Sequence, residues 1–341
     1  MLTVKATAFF RLRQPPPLVG KEVVKEISPW GVQSPFLILA AVYFTLSLAE
    51  LVKRDFTLHG YFAMVATYSL LSGMLMRLFF PATKYLPLHL LTLATLALPF
   101  PLSQVASMVS LTAVEVWALR DVRSYGSKFP VNLLVLSSPF AGIFAWLGYY
   151  FTGHVAFLLP PIVMYVLGIN VGLFAATLRS KPFFWVKQLP FLVLSALSFF
   201  QPLYAVDSLA YSVYFFATAK SLRSPSLLVL FSFLASSVLS FEDLTHSVLL
   251  GLMLPSFVNC VVYSIARYNY GTLAHWLSLS ALLASLVSWF AFRELSALLT
   301  LISVVTFYAL IAHNFHPVSV KLGISVRFLR KPINPEPHST P

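Results

Sequence analysis

The sequence predicts an all-α protein, a polytopic membrane helix bundle of about twelve transmembrane helices in three pseudo-symmetric four-helix units. Composition is the first observation: 58% of the 341 residues are hydrophobic and 10% are charged, which is typical of membrane proteins. Secondly, apolar runs recur from Pro35 to about Ala312. Thirdly, prolines that precede apolar runs, Pro35, Pro130 and Pro225, recur at an interval of 95 residues.

The apolar runs are predicted to be helices, because lipid offers no partner for an unpaired backbone N–H or C=O. Pro99, Pro101 and Pro202 divide two of the runs into pairs of helices, each shorter than the roughly 20 residues that a straight span usually needs. We therefore place twelve spans at residues 35–52, 58–76, 86–99, 102–119, 131–150, 154–178, 188–201, 203–219, 226–241, 246–265, 272–291 and 295–312.

The formal charge of +12 is explained by topology and requires no nucleic acid or other acidic partner. With both termini in the cytoplasm, all 23 Lys and Arg residues except Lys53, Arg54 and Arg293 fall on the cytoplasmic side. This bias is what the positive-inside rule predicts. Fusing either pair of short helices would place cytoplasmic arginines outside, so we keep twelve spans and expect a multi-pass protein of the cell membrane.

The proline interval predicts an internal repeat in which each unit comprises four helices. Four spans is an even number, so the units share one orientation and are related by rotation about the membrane normal. Twelve unrelated helices with prolines at their interfaces are the alternative. The predicted divisions are a cytoplasmic N-terminal segment (1–34), a transmembrane domain (35–316, with units 35–129, 130–224 and 225–316) and a cytoplasmic tail that is disordered at its end (317–341).

Three histidines fall at corresponding places in the three units. His59, His154 and His246 each follow a threonine by one or two residues and begin the second, sixth and tenth helices at the outer end of the bundle. A single histidine at such a place is usually an interfacial residue. Three of them favour a metal or haem site, because imidazole is a common metal ligand and two imidazoles can hold a haem iron.

Short motifs around these histidines resemble the haem-copper oxidase catalytic subunit superfamily. Phe56-Thr57-Leu58-His59-Gly60 is similar to the Thr-x-His-Gly of that family's second helix, and Phe151-Thr152-Gly153-His154 to the Gly-His of its sixth helix. Arg293 lies where the family has an arginine pair for haem propionates. The resemblance covers about residues 31–316, and it implies that His59 and His246 are the axial ligands of a low-spin b-type haem. His246 could instead match the family's high-spin ligand.

The sequence departs from the family at its copper site. The family's histidine pair on helix seven would fall near Phe199-Phe200-Gln201, and helix ten retains only His246. A copper site of this kind needs about three imidazoles, so copper is not expected. His154 is then a relic or a candidate ligand for a second metal. The chain resembles reduced forms, such as the nitric-oxide-response haem-copper membrane proteins or the membrane subunit of an archaeal b-type cytochrome complex.

Other polar residues have structural interpretations. Glu50 and Glu115 are predicted to pair with basic neighbours at the two membrane rims. Asn170 and Asn259 are predicted to form interhelical hydrogen bonds. Glu242-Asp243 is predicted to place negative charge at a helix N-terminus, with a docking point for an external donor protein as the alternative.

The resemblance implies a membrane subunit of a respiratory electron-transfer complex that passes electrons between quinol and a partner cytochrome on the outer face. We expect an electron-transfer subunit more than a complete oxidase. The single cysteine, Cys260, excludes an internal disulfide and a thiolate cluster. A twelve-helix secondary transporter and a cofactor-free membrane scaffold remain the alternatives.

Overall fold

The computed structural model describes residues 29–79, 83–118, 132–264 and 269–312, and within these residues it is all helical. Twelve helices are present there, as predicted, and the two proline-divided pairs are separate helices. Their bounds are α1 (Pro29–Val52), α2 (Phe56–Phe79), α3 (Leu86–Ala97), α4 (Pro101–Ala118), α5 (Leu133–Thr152), α6 (Val155–Thr177), α7 (Leu189–Ala196), α8 (Gln201–Thr218), α9 (Ser226–Leu239), α10 (Leu244–Ser264), α11 (Leu273–Trp289) and α12 (Arg293–Ala312).

Pro35 and Pro225, two of the three prolines that recur every 95 residues, do not occupy equivalent positions, which corrects one expectation from the sequence. Pro35 was expected to open the first span, but α1 begins at Pro29 and contains Pro35. A proline inside a membrane helix is tolerated when neighbouring groups satisfy the backbone. Pro225 lies directly before α9, and Pro130 lies outside the described residues.

Five helices are long and apolar enough to cross a membrane, judged over the described residues by length and composition: α1, α5, α6, α10 and α12. Large apolar side chains such as Ile38, Phe144 and Val305 point outward, whereas serines such as Ser107 and Ser285 are buried. Soluble proteins bury apolar side chains and expose polar ones. An apolar outer surface around a core that also contains hydroxyl groups is typical of a multi-helix membrane protein with lipid on its outer surface.

The two ends of the bundle differ. Tight turns follow every odd-numbered helix and lie together at one end, here called the turn end, because successive helices run antiparallel. These turns are residues 53–55, 98–100, 153–154, 197–200, 240–243 and 290–292. The opposite end, here called the connection end, carries the longer connections.

Helices α2, α6 and α10 form the buried centre of the bundle. A hydrogen bond joins each pair of them: Tyr68 to the carbonyl of Leu158 (3.0 Å), Asn170 to Ser256 (2.9 Å) and Arg77 to Ser264 (2.8 Å). Asn259 of α10 also donates to Ser226 of α9, at 2.8 Å. The predicted interhelical roles of Asn170 and Asn259 are therefore confirmed.

Hydroxyl groups join the paired helices that surround this centre. Each of the hairpins α3–α4, α7–α8 and α11–α12 contains such a bond: Thr92–Ser110 (3.0 Å), Ser195–Asp207 (2.7 Å) and Ser285–Ser296 (2.8 Å). Small hydroxyl residues let membrane helices approach closely and hydrogen-bond to each other.

Helix α10 contains a π-helical stretch over Ser247–Met253, directly before Pro255. Proline has no N–H to donate within the helix, and π bulges are one way in which a helix accommodates such an interruption. Ser236 of α9 donates to the carbonyl of Ser247 at 2.7 Å. The hydroxyl therefore helps to satisfy the altered backbone.

We expect Gly168→Ala to destabilise the fold by roughly 1–3 kcal/mol, the usual range for overpacking a core. A Cβ at Gly168 would lie 2.7 Å from the backbone nitrogen of Val135, so α5 and α6 would have to separate. Gly172→Ala on the same helix is the control, because nothing lies within 4 Å of its Cβ position. Thermal unfolding in detergent measures both variants, and equal melting temperatures would contradict the close approach.

Candidate functional site

The three histidines singled out in the sequence lie at the turn end. His59 is in the first turn of α2, His154 directly precedes α6, and His246 is in the first turn of α10. The first turn of α6, Val155–Leu158, contacts both α2 and α10. The central helices therefore begin next to one another.

The imidazole of His59 is fixed by α1. Its Nδ1 lies 2.9 Å from the carbonyl oxygen of Ser47, and the Ser47 hydroxyl donates to the carbonyl of His59 at 3.0 Å. A carbonyl oxygen only accepts, so Nδ1 carries the proton, and the Ser47 hydroxyl oxygen, 2.9 Å from Nδ1, accepts from it as well. In the neutral ring Nε2 has the free lone pair, and it makes no hydrogen bond to any described residue.

The imidazole of His246 is fixed by Asp243. Nδ1 of His246 lies 2.7 Å from Asp243 Oδ2, which assigns its proton in the same way. Asp243 Oδ1 accepts from the His246 backbone N–H at 3.1 Å and caps α10. The predicted role of Asp243 at a helix N-terminus is therefore confirmed.

Trp289, at the end of α11, completes the surroundings of His246. The two rings stack with 3.7 Å between centroids and 19° between planes. The indole Nε1 donates to Asp243 Oδ2 at 3.3 Å, and the Arg293 guanidinium lies 5.5 Å from the indole centroid. We call Asp243, His246, Trp289 and Arg293 the turn-end cluster. It contains one carboxylate, one guanidinium and an imidazole with a free Nε2.

Hydrogen bonding sets the charge state of Asp243. Burial raises the pKa of its carboxyl, but bonds from the His246 ring and backbone and from the Trp289 indole lower it further than burial raises it. The net pKa lies below the usual aspartate value. The carboxylate is therefore charged at neutral pH, opposite the Nδ1–H of His246.

The described contacts do not bring the predicted ligands together. His59 is bonded to α1, whereas His246 packs on α11 through Trp289. The His154 side chain is exposed in the turn after α5 and follows Gly153, whose φ is 71°. Among the described residues no group of three or more His, Cys, Asp or Glu side chains is placed to hold a metal ion. The predicted haem pair stays a prediction.

Two buried carboxyl groups lie away from the turn-end cluster. Asp207, in α8, was not singled out from the sequence. Its Oδ2 accepts from Ser195 at 2.7 Å, and its Oδ1 has no partner in the described part of the chain. Glu115, in α4, is buried with Oε1 unpaired among the described residues. Its predicted partner Arg120 lies outside them. The pairing of Glu50 with Lys53 is confirmed at 2.7 Å.

Comparisons with protein-family models, with curated proteins and with solved structures give no match to this chain. The haem-copper resemblance therefore depends on the residues quoted above. Trp289 was missed in the sequence because the residues that it contacts lie far from it along the chain. The only local indication of its role is that it lies four residues before Arg293, whose guanidinium it contacts.

We expect Asp243→Asn to lower the melting temperature at pH 7, because the carboxylate is stabilised by His246 and Trp289. A carboxyl with a depressed folded pKa stabilises the protein above the ordinary unfolded value of about 3.9, and that stabilisation is lost as pH falls through the folded pKa. The difference in melting temperature from wild type should therefore stay nearly constant from pH 7 to about pH 5 and narrow as the pH falls below about 4.

Thermal unfolding in detergent across this pH range tests the expectation. Glu242→Gln is the control, because Glu242 is the exposed neighbour of Asp243 and its loss should leave the melting temperature nearly unchanged. A difference for Asp243→Asn that is constant across the pH range would contradict the charged interaction.

Proposed function

We propose that the protein is an integral membrane subunit of a respiratory electron-transfer complex, located in the cell membrane with both termini in the cytoplasm. It binds a low-spin b-type haem at the turn end and passes electrons between quinol and a partner cytochrome. The turn end then faces the outer side, where the partner cytochrome binds. A copper site for oxygen reduction is not part of the proposal.

The observation that supports haem binding is the state of the two imidazoles. In each ring Nδ1 donates to an acceptor inside the protein, Ser47 for His59 and Asp243 for His246. Histidines that ligate metals usually donate their other ring N–H to a carbonyl or carboxylate, which fixes the tautomer and the ring orientation. His59 and His246 each present Nε2 in this way, so their donor chemistry fits haem iron.

The haem would supply a one-electron centre, and the protein residues would hold and orient it. Stacking on Trp289 leaves the Nε2 of His246 available, because the lone pair lies in the ring plane and the stacking contact is on the face. Arg293 adds positive charge at the same end, which suits a haem propionate. Ser47 and Asp243 keep Nδ1 protonated and so keep Nε2 as the ligating atom.

We also infer that the bundle consists of three four-helix units. In each unit the second helix (α2, α6 or α10) lies in the buried centre and the last two helices form a hydroxyl-linked hairpin. Twelve helices divide evenly in this way, and the histidines then occupy corresponding first turns.

A secondary transporter is the second candidate, and two observations favour it. The π-helical stretch before Pro255 interrupts a central helix, and Asp207 and Glu115 are buried ionisable groups within the bundle. Such groups mark ion or proton pathways in many membrane proteins. Proton-dependent uptake by reconstituted vesicles, abolished by Asp207→Asn, would favour this candidate over electron transfer.

A reduced-minus-oxidised spectrum of the purified protein tests the proposed function. We expect a b-type α band that His59→Ala and His246→Ala each remove or convert to a high-spin form, because each removes one axial ligand. His154→Ala should leave the band intact, since that side chain is exposed. Ser47→Ala controls for disturbance of the α1–α2 contact and should also retain it.

A folded preparation without any haem band would overturn the electron-transfer proposal. A band that survives both His59→Ala and His246→Ala would overturn the ligand assignment alone. The variants should elute as the wild type does on size-exclusion chromatography, which separates loss of haem from loss of fold.

A further inference from the structure

The hairpins α3–α4 and α7–α8, here called the short hairpins, extend less far than the helices that surround them. Helix α3 has 12 residues and α7 has 8, and each follows a 3₁₀ turn, of 3 and 4 residues respectively. At about 1.5 Å per α-helical and 2.0 Å per 3₁₀ residue, these segments span about 24 Å and 20 Å. Helices α1 and α2 each have 24 residues and span about 36 Å.

Contacts along the neighbouring helices show where the α3–α4 hairpin ends. The Tyr43 hydroxyl donates to the carbonyl of Ala97, the last residue of α3, at 2.9 Å. Tyr43 lies nine residues before the end of α1 at Val52, which is about 13 Å along the helix axis. The α3–α4 turn therefore lies below the level of the α1–α2 turn.

A hydrogen bond at the start of the α7–α8 hairpin shows its level relative to α5. The backbone N–H of Leu134, at the start of α5, donates to Gln188 at 3.3 Å, just before α7 begins. From this common level α5 continues to Thr152 over 20 residues, whereas α7 ends at Ala196 after 8. Phe199 in the turn packs on Phe157, with 5.4 Å between ring centroids. Phe157 is the third residue of α6, so the tip of the α7–α8 hairpin reaches the first turn of α6.

The turns of the short hairpins contain no charged residue. Residues 98–100 are Leu-Pro-Phe and residues 197–200 are Leu-Ser-Phe-Phe, and Phe100 and Phe200 are 61% and 60% exposed. Length alone does not distinguish these hairpins, because α9 also has only 14 residues. The turn after α9 differs in carrying Glu242 and Asp243 next to Phe241, which is 58% exposed.

Most backbone polar groups of the α3–α4 turn are bonded within the protein. Its N–H groups are either bonded, at Leu98 and Phe100, or absent, at the two prolines that flank Phe100. The carbonyl of Leu98 accepts from Gln104 Nε2 at 2.8 Å, and the Ser103 hydroxyl lies 2.7 Å from the carbonyls of Leu98 and Phe100. Irregular backbone survives at membrane depth only when its polar groups find partners inside the protein.

We propose that both short hairpins are re-entrant: they enter from the connection end and turn back inside the hydrocarbon of the leaflet at the turn end. Acyl chains of that leaflet cover Phe100 and Phe200. The occupant is lipid because the tips are uncharged and apolar, and because the N–H groups of the α3–α4 turn need no hydrogen bond from outside. The other eight helices keep their predicted orientation, since a re-entrant hairpin returns to the side it came from. The positive-inside pattern is therefore the same for two spans and for one re-entrant hairpin.

Cysteine labelling in lipid vesicles tests this proposal. Cys260→Ala removes the only cysteine, which is buried. Phe100→Cys, Phe200→Cys and Phe241→Cys are then made singly in that background, and a charged maleimide is equilibrated across the membrane by freeze–thaw so that sidedness has no effect. Phe241→Cys is the matched control, because the three phenylalanines are almost equally exposed and differ in the charge of their turns.

We expect Phe241→Cys to react at least ~10-fold faster than Phe100→Cys and Phe200→Cys, because the reactive thiolate forms poorly in hydrocarbon and the reagent is excluded from it. All three should react fully after denaturation in SDS. Equal rates in intact vesicles would overturn the proposal for the hairpin concerned.

A nitroxide attached at each site gives a second readout. At positions 100 and 200, oxygen should relax the nitroxide more than a water-soluble nickel complex does. The reverse order at these positions would also overturn the proposal.

Discussion

The architecture depends on one constraint: the surrounding lipid offers no hydrogen-bond partner, so polar groups must be satisfied inside the protein. This favours helices throughout the described chain and explains the position of its serines and threonines. Most of these side chains either bond back to their own helix or join neighbouring helices, as Thr92 and Ser110 do at 3.0 Å. The same constraint accounts for Ser103 and Gln104, whose side chains serve carbonyls at the α3–α4 turn. Polar residues in this bundle are therefore part of the backbone hydrogen bonding, and most of them need no functional explanation.

Polar groups that have no hydrogen-bond partner among the described residues are the candidates for a functional role. The Nε2 atoms of His59 and His246 make no bond within the described residues, although Nδ1 of each is tied to the protein. One oxygen each of Asp207 and Glu115 is likewise unpartnered. An unpaired buried polar atom costs about 1–3 kcal/mol. The two carboxyls lie inside helices and favour ion movement, whereas the imidazoles lie at the first turns of the central helices, where a ligand can be oriented. The carboxyls therefore support the transporter candidate, and the imidazoles support the electron-transfer candidate.

Much of the fold was readable from the sequence because membrane helices are specified locally. Proline positions and apolar runs predicted the twelve helices, including the division between α7 and α8 at Pro202. Capping by Asp243 was predictable for the same reason, since it concerns residues three apart. Trp289 was not predictable, because it lies 46 residues from the Asp243 carboxylate that it contacts. The depth of the short hairpins was also hidden from the sequence: two full spans and a re-entrant hairpin give the same charge pattern.

The uneven depth of the turns bears on where a partner protein can bind. If the short hairpins end inside the leaflet, the surface that projects into water at the turn end consists of the remaining four turns. Two of those turns carry charges, Arg54 and Glu242 among them, and Arg293 directly follows a third. The three histidines lie in these turns or next to them. A water-soluble electron donor would thus meet charged turns next to the starts of α2 and α10, the exposed His154 next to the start of α6, and lipid at the short hairpins. Charge on such a surface steers association and fixes orientation. The fold would then bring an external donor close to the imidazoles without any large outer domain in the described chain.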